Sequence, residues 1–296
     1  MMEFGKLLVG TVWLRPYVFV FLLTYLVLAT WQWGWGRTSA FLVLGYLVAF
    51  GAELSSIHTG FPFGWYFYIP ATRGQELWVA GVPFMDSLSY VFLAYASYTM
   101  ALLALGMAGG DNRPYFGKGE DIKGVIDHQV AQAGLDNDPA AVDHNPDTAN
   151  PIPPTQKSFA WRPLLLGGVL MTTLDVVIDP LALRGYRWFL GQIYGYPEAG
   201  VYFGVPLSNF GGWLVVSLVL IGLLERVSTW EGAPPWWDWG RRSLAGQALL
   251  GPGLYLGILA FNLFMTFWIG EYALGWVGVF IYVPFLTLVI CHGELV

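Results

Sequence analysis

Charge is scarce in this chain. Only 11% of its 296 residues are Asp, Glu, Lys or Arg, against roughly 25% in an ordinary soluble domain. A deficit of that size excludes a conventional water-facing globule and points to lipid. Cysteine is rarer still: Cys291 stands alone in an apolar stretch, so neither a disulfide framework nor a thiolate metal site can be assembled. Basic residues show no excess, with 14 Lys and Arg against 20 Asp and Glu, which leaves nucleic-acid binding without support. Lysine is missing after Lys157, itself in a polar stretch. A retinal Schiff base needs a lysine within the helices, so an opsin is excluded. A small-residue cleavage site is missing after the first apolar run, Tyr17 to Thr30, which therefore reads as a retained helix.

What remains is 56% hydrophobic and 17% aromatic. A bilayer core requires about 20 mostly apolar residues per helix. Segments 16–35, 39–57, 84–108, 162–183, 209–228, 246–269 and 272–292 meet that need. The expected fold is all-α, a polytopic membrane bundle of about seven helices forming one domain over 1–296, with a Gly-rich turn around Gly36 joining the first two. Stretch 109–160 differs from its surroundings: it is polar, acidic and rich in turn formers such as Asn150 to Pro154. It reads as an extramembrane loop. His128 and His144 within it fit a solvated loop better than a metal tract. Seven helices put Lys6, Arg15, Arg73, Arg184 and Arg187 on one face and the other nine of the 14 basic residues opposite. The positive-inside rule then turns the second face to the cytoplasm, as in a plasma or inner membrane.

Ionisable groups inside a membrane segment cost about 2.5–3.5 kcal/mol each on insertion scales and default to functional roles. Glu53 ends the second segment, Asp86 opens the third, Asp175 and Asp179 end the fourth, and Asn209 opens the fifth. Glu271 lies between the last two. Following the helix directions brings all of them to one membrane face. Asp175 and Asp179, four apart, share a helix side, and Pro180 ends or kinks that helix; helix-end residues reaching interfacial water are the plainer reading. The connections on that face, His58 to Pro70 and Gly200 to Phe210, are rich in Gly, Pro and aromatics. Both approach the next helix through Gly-Val-Pro, at Gly81 to Pro83 before Asp86 and at Gly204 to Pro206 before Asn209. Coincidence is one explanation; a parallel duplication of a helix-loop-helix unit, second with third and fourth with fifth helices, is the other. The aromatics Trp65, Tyr66, Phe67, Tyr68, Trp188, Tyr202 and Phe203 fit an interfacial belt, or a pocket whose ring faces stabilise a carbocation. Their number alone does not decide.

At these residues the sequence resembles the membrane-bound carotenoid biosynthesis proteins of the CruF type, the carotenoid 1,2-hydratases and bisanhydrobacterioruberin hydratases. The stretches that carry the resemblance are Glu53 to Tyr68 (ELSSIHTGFPFGWYFY), Gly81 to Pro83, Asp175 to Pro180 (DVVIDP) and Tyr202 to Trp213 (YFGVPLSNFGGW). It implies a membrane enzyme that adds water to the terminal double bond of a carotenoid, lycopene-like or of the longer fifty-carbon class, without a cofactor or metal. It also implies a carotenoid or isoprenoid lipid and membrane lipids as partners, together with other enzymes of that pathway, and no nucleic acid. Protonating an alkene needs a carboxyl that keeps its proton, which burial favours. Glu53 or Asp175 is the expected acid, with Asp179 or Asp86 as carboxylate partners. His58, Tyr66, Tyr68, Trp188, Tyr202 and Asn209 are the expected substrate contacts. Three rivals stand beside this reading: a membrane lycopene cyclase, a Mg²⁺-dependent prenyltransferase or elongase, and a carotenoid binder or transporter. The prenyltransferase needs paired aspartates on helices, and Asp175 with Asp179 supplies only half of such a set.

Overall fold

A computed structural model describes residues 2–107, 160–230, 232–244 and 246–293. The polar stretch expected at 109–160, with His128 and His144, falls outside the described residues save for Ala160. Among the described residues the chain forms eight α-helices: α1 (Met2–Leu14), α2 (Pro16–Trp33), α3 (Trp35–Thr59), α4 (Phe84–Ala104), α5 (Trp161–Ala182), α6 (Leu207–Ser228), α7 (Gln247–Trp268) and α8 (Tyr272–Gly293). Six of them, α2 to α7, are long and apolar enough to cross a membrane. The fold is an all-α polytopic bundle. The seventh expected segment folds as α8, whose apolar stretch Tyr272–Phe285 is shorter than the other six.

Three local expectations change. The break between α2 and α3 is at Gly34, and Gly36 lies inside α3, where a Cβ would sit 2.2 Å from the Trp237 ring. The helix α1 was not foreseen, because 13 residues rise only about 20 Å and fall short of a roughly 30 Å hydrocarbon core. Pro180 does not stop α5 at once; the helix runs two residues further, to Ala182.

Lipid removes the hydrophobic drive between helices, so close packing of small residues has to hold them together. The central helix α4 follows this rule. It is buried almost throughout, packs on α2, α3, α5, α6 and α7, and presents Ala94, Ala96, Ser97 and Ala101. Gly251 of α7 lies against Thr99, where a Cβ would meet the side chain at 2.3 Å. Thr99 satisfies its own hydroxyl on the Tyr95 carbonyl at 2.9 Å, so no polar group is stranded in the bundle at that point.

The connections at one end of the bundle carry the remaining structure. The α3–α4 connection holds β1 (Phe67–Tyr68), β2 (Trp78–Val79) and β3 (Val82–Pro83), and the α5–α6 connection holds β4 (Tyr194–Gly195). β1 pairs antiparallel with β4, Phe67 opposite Gly195 and Tyr68 opposite Tyr194, which joins the two connections. Each connection then turns back through the same hairpin. Ala80 and Gly81 both have positive φ (47° and 89°) between the paired Val79 and Val82, and Phe203 and Gly204 repeat this (50° and 94°) between the bridged Tyr202 and Val205. Two successive positive φ angles are the signature of a tight hairpin that fits the strand twist. The repeated Gly-Val-Pro is thus a repeated backbone shape, as duplication requires.

The segment joining α1 to α2 fastens this end. Arg15, 2% exposed, pairs with Glu76 at 3.0 Å and donates to the Leu190 carbonyl, so one guanidinium ties the α2 entrance to both connections. Thr72 donates to the same Glu76 carboxylate, and Thr11 accepts from the Leu77 backbone at 2.8 Å. The opposite partner of this closure is Gly212 on α6, where a Cβ would stand 2.5 Å from the Pro62 carbonyl. Its lack of a side chain lets the α3–α4 connection lie directly on α6.

Candidate functional site

Beneath the two connections lies a cavity lined by residues of α2 to α7 and of both connections. Its polar wall comes from four helix ends. Glu53 is near the C-terminus of α3, Asp86 is in the first turn of α4, Asp175 and Asp179 are near the C-terminus of α5, and Asn209 is in the first turn of α6. Helical spacing of four turns Asp175 and Asp179 to the same side, and the Asn209 amide bridges them, donating to Asp175 at 3.0 Å and to Asp179 at 2.9 Å.

Tyrosines organise the rest. Tyr66 and Tyr68 from the first connection both donate to Glu53, the latter at 2.6 Å, and Tyr90 of α4 donates to its other oxygen. Tyr68 also hydrogen-bonds Asp86. In the second connection Tyr194 and Tyr196 donate to Asp179, the latter at 2.7 Å. Burial, followed by the neighbouring carboxylates, pushes the Tyr66, Tyr68, Tyr194 and Tyr196 hydroxyls well above their ordinary titration range. They stay protonated and serve as donors. Among the described residues the Asp175 Oδ1 atom has no hydrogen-bond partner, and it is buried, on a cavity-lining residue only 1% exposed. An unpaired polar atom in such a place calls for an account.

The opposite wall is apolar and aromatic. Tyr17, Phe21, Phe92 and Trp188 line it with Ile258 of α7. Tyr17 stacks on Phe261 at 5.3 Å and meets Trp188 at 5.8 Å. Tyr90 and Trp213, also in the lining, lie face to face at 4.4 Å and 4°.

Of the residues expected from sequence, Glu53, Asp86, Asp175, Asp179, Asn209, Tyr66, Tyr68 and Trp188 line this one cavity. His58 and Tyr202 do not. His58 follows Glu53 by five helical positions, about 140° round the axis, and is exposed. Tyr202 packs on Phe203 and Phe210 at the hairpin, with its hydroxyl unpaired among the described residues. Glu271 is also elsewhere, paired with Arg184 at 3.2 Å and with Arg187. Sequence reasoning missed Tyr90, Tyr194, Tyr196 and Trp213. A signal for two of them was present: Tyr-x-Tyr occurs in both connections, at 66–68 and 194–196.

The family model described as carotenoid biosynthesis protein matches residues 14–126 and 148–285. The chain belongs to the carotenoid biosynthesis protein family. The matched residues include all four helix ends of the cavity and both connections. Neither the curated proteins nor the solved structures contain a match.

Proposed function

We propose that this member of the family hydrates the terminal double bond of an acyclic carotenoid end group, in the plasma or inner membrane and without a cofactor. The observation that carries the reading is the enclosure of four carboxyl groups and an aromatic wall in one cavity within the bundle. A carboxyl O–H transfers its proton to the less substituted alkene carbon, and the π electrons form the new C–H bond. The tertiary cation left behind faces aromatic rings, each worth about 2 kcal/mol or more to a desolvated cation. Water adds to it, and a second carboxylate takes the surplus proton. The product is a tertiary alcohol, and the carboxyl set carries the same number of protons as before.

The prenyltransferase reading finds less support. Its diphosphate needs cations, but Arg73 lies over Trp78 at 5.2 Å and Arg184 and Arg187 face Glu271. None of the three lines the cavity.

Expression in a lycopene-producing host tests the proposal. Hydration gives pigments heavier by one or two waters. An isomeric pigment means a cyclase, and unchanged pigment that co-purifies with the protein means a binder; either result overturns hydration.

A further inference from the structure

The cavity is built from two copies of one unit, and the copies differ where proton chemistry is decided. Each unit runs from a carboxylate near a helix C-terminus to a Tyr-x-Tyr that donates to it, and then through a positive-φ hairpin and Gly-Val-Pro to a polar residue three positions beyond. Glu53, Tyr66, Tyr68 and Asp86 thus correspond to Asp179, Tyr194, Tyr196 and Asn209. Four residues further, Tyr90 corresponds to Trp213. Contacts between the copies obey a local two-fold axis. Corresponding residues Tyr90 and Trp213 stack on each other, and corresponding Phe67 and Gly195 face each other across the β1–β4 pair. The ring pairs Tyr66–Tyr68 (5.4 Å, 80°) and Tyr194–Tyr196 (5.9 Å, 85°) repeat the same geometry on either side. The helices agree, with α4 packed on α5 as α6 is on α3.

Besides the Tyr90–Trp213 exchange, two positions break the symmetry. Asp86 has become Asn209 in the second copy, and Asp175 stands where the first copy has the buried Ala49, four residues before Glu53. Each copy therefore holds two carboxyls, joined differently. In the first, Glu53 and Asp86 share the Tyr68 hydroxyl, a group that accepts a proton on one side while releasing one on the other. In the second, Asp175 and Asp179 share the Asn209 amide nitrogen, which donates to both and relays nothing. Glu53 and Asp179 each receive three hydrogen bonds. Asp175 receives one, and among the described residues its buried Oδ1 has no partner, so a hydrogen on this cavity-lining carboxyl is not committed to another side chain.

We infer that the copies divide the reaction: Asp175 delivers the proton to the alkene, and the Glu53–Tyr68–Asp86 chain takes the proton released when water adds to the cation. This rests on the hydration reading above. The cycle closes when that proton returns to Asp175 through water in the cavity.

Solvent-exchange measurements on the full-length protein in liposomes containing lycopene, in D₂O, separate the two roles. A cation that is formed but not captured by water loses a proton and returns to alkene, carrying deuterium. Asp175→Asn should lose both the alcohol and the deuterium in recovered lycopene, each at least a hundredfold. Glu53→Gln and Tyr68→Phe should lose alcohol by tenfold or more yet still label lycopene, a readout that mere misfolding cannot give. Labelled lycopene from Asp175→Asn, or loss of labelling in both Glu53→Gln and Tyr68→Phe, would overturn the assignment while wild type still hydrates. Wild type that neither hydrates nor labels overturns the underlying reading, and the assignment with it.

Discussion

The α3–α4 unit and the α5–α6 unit begin from the same parts and finish with different hydrogen-bond networks. In the first, a tyrosine hydroxyl lies between two carboxyls; in the second, an amide does. The hairpin, the Tyr-x-Tyr and the helix entry are shared. Beyond the Tyr90–Trp213 exchange, Asp for Asn beside one carboxylate and Ala for Asp beside the other give one scaffold two different hydrogen-bond networks.

That contrast can be broken most severely at Asp175. Asp175→Asn keeps the shape and removes the transferable hydrogen, and a positioned general acid contributes about 10²–10⁴-fold. Pigment analysis in the host should show hydration reduced by that factor with the protein still inserted. The clasp that holds both units comes next. Arg15→Met leaves Glu76 buried without its cation, a change that costs about 3–5 kcal/mol; the midpoint of thermal unfolding in detergent should fall, and the double variant with Glu76→Gln should recover part of it. Equivalence of the units is tested by Tyr66→Phe against Tyr194→Phe. Each deletes one hydrogen bond to a carboxylate, worth about 1.5–3 kcal/mol, so each should slow hydration roughly tenfold or more. A loss confined to one of them would show that only that unit's carboxylate depends on its tyrosine. Gly212→Ala forces a methyl against the Pro62 carbonyl, and overpacking of this kind costs about 1–3 kcal/mol, seen as reduced thermal stability with the carboxyl set intact. At the small end, His58→Ala should leave hydration within about twofold, since the side chain is exposed and outside the cavity.

Hydropathy alone placed six spans to within a few residues, because lipid imposes one rule on every residue of a span. Following the chain through those spans gathered Glu53, Asp86, Asp175, Asp179 and Asn209 at one end, where the structure has them. Position beyond the helices was harder to read. Tyr194 and Tyr196 were overlooked because the Tyr-x-Tyr stands further from Gly-Val-Pro in the first connection than in the second, which hides the alignment. Arg15 was read only as a topology marker; its burial depends on Glu76 and Leu190, distant in sequence. His58 was expected among the substrate contacts, although helical rotation sends it to another side than Glu53. Tyr202 was grouped by composition, while the hairpin fixes its ring against Phe203 and Phe210.

The most direct test of the account follows the oxygen. The purified protein, given lycopene in liposomes and water labelled with heavy oxygen, should form a tertiary alcohol bearing the label, with no added redox partner. An unlabelled hydroxyl, or a product isomeric with lycopene, would contradict hydration in this cavity.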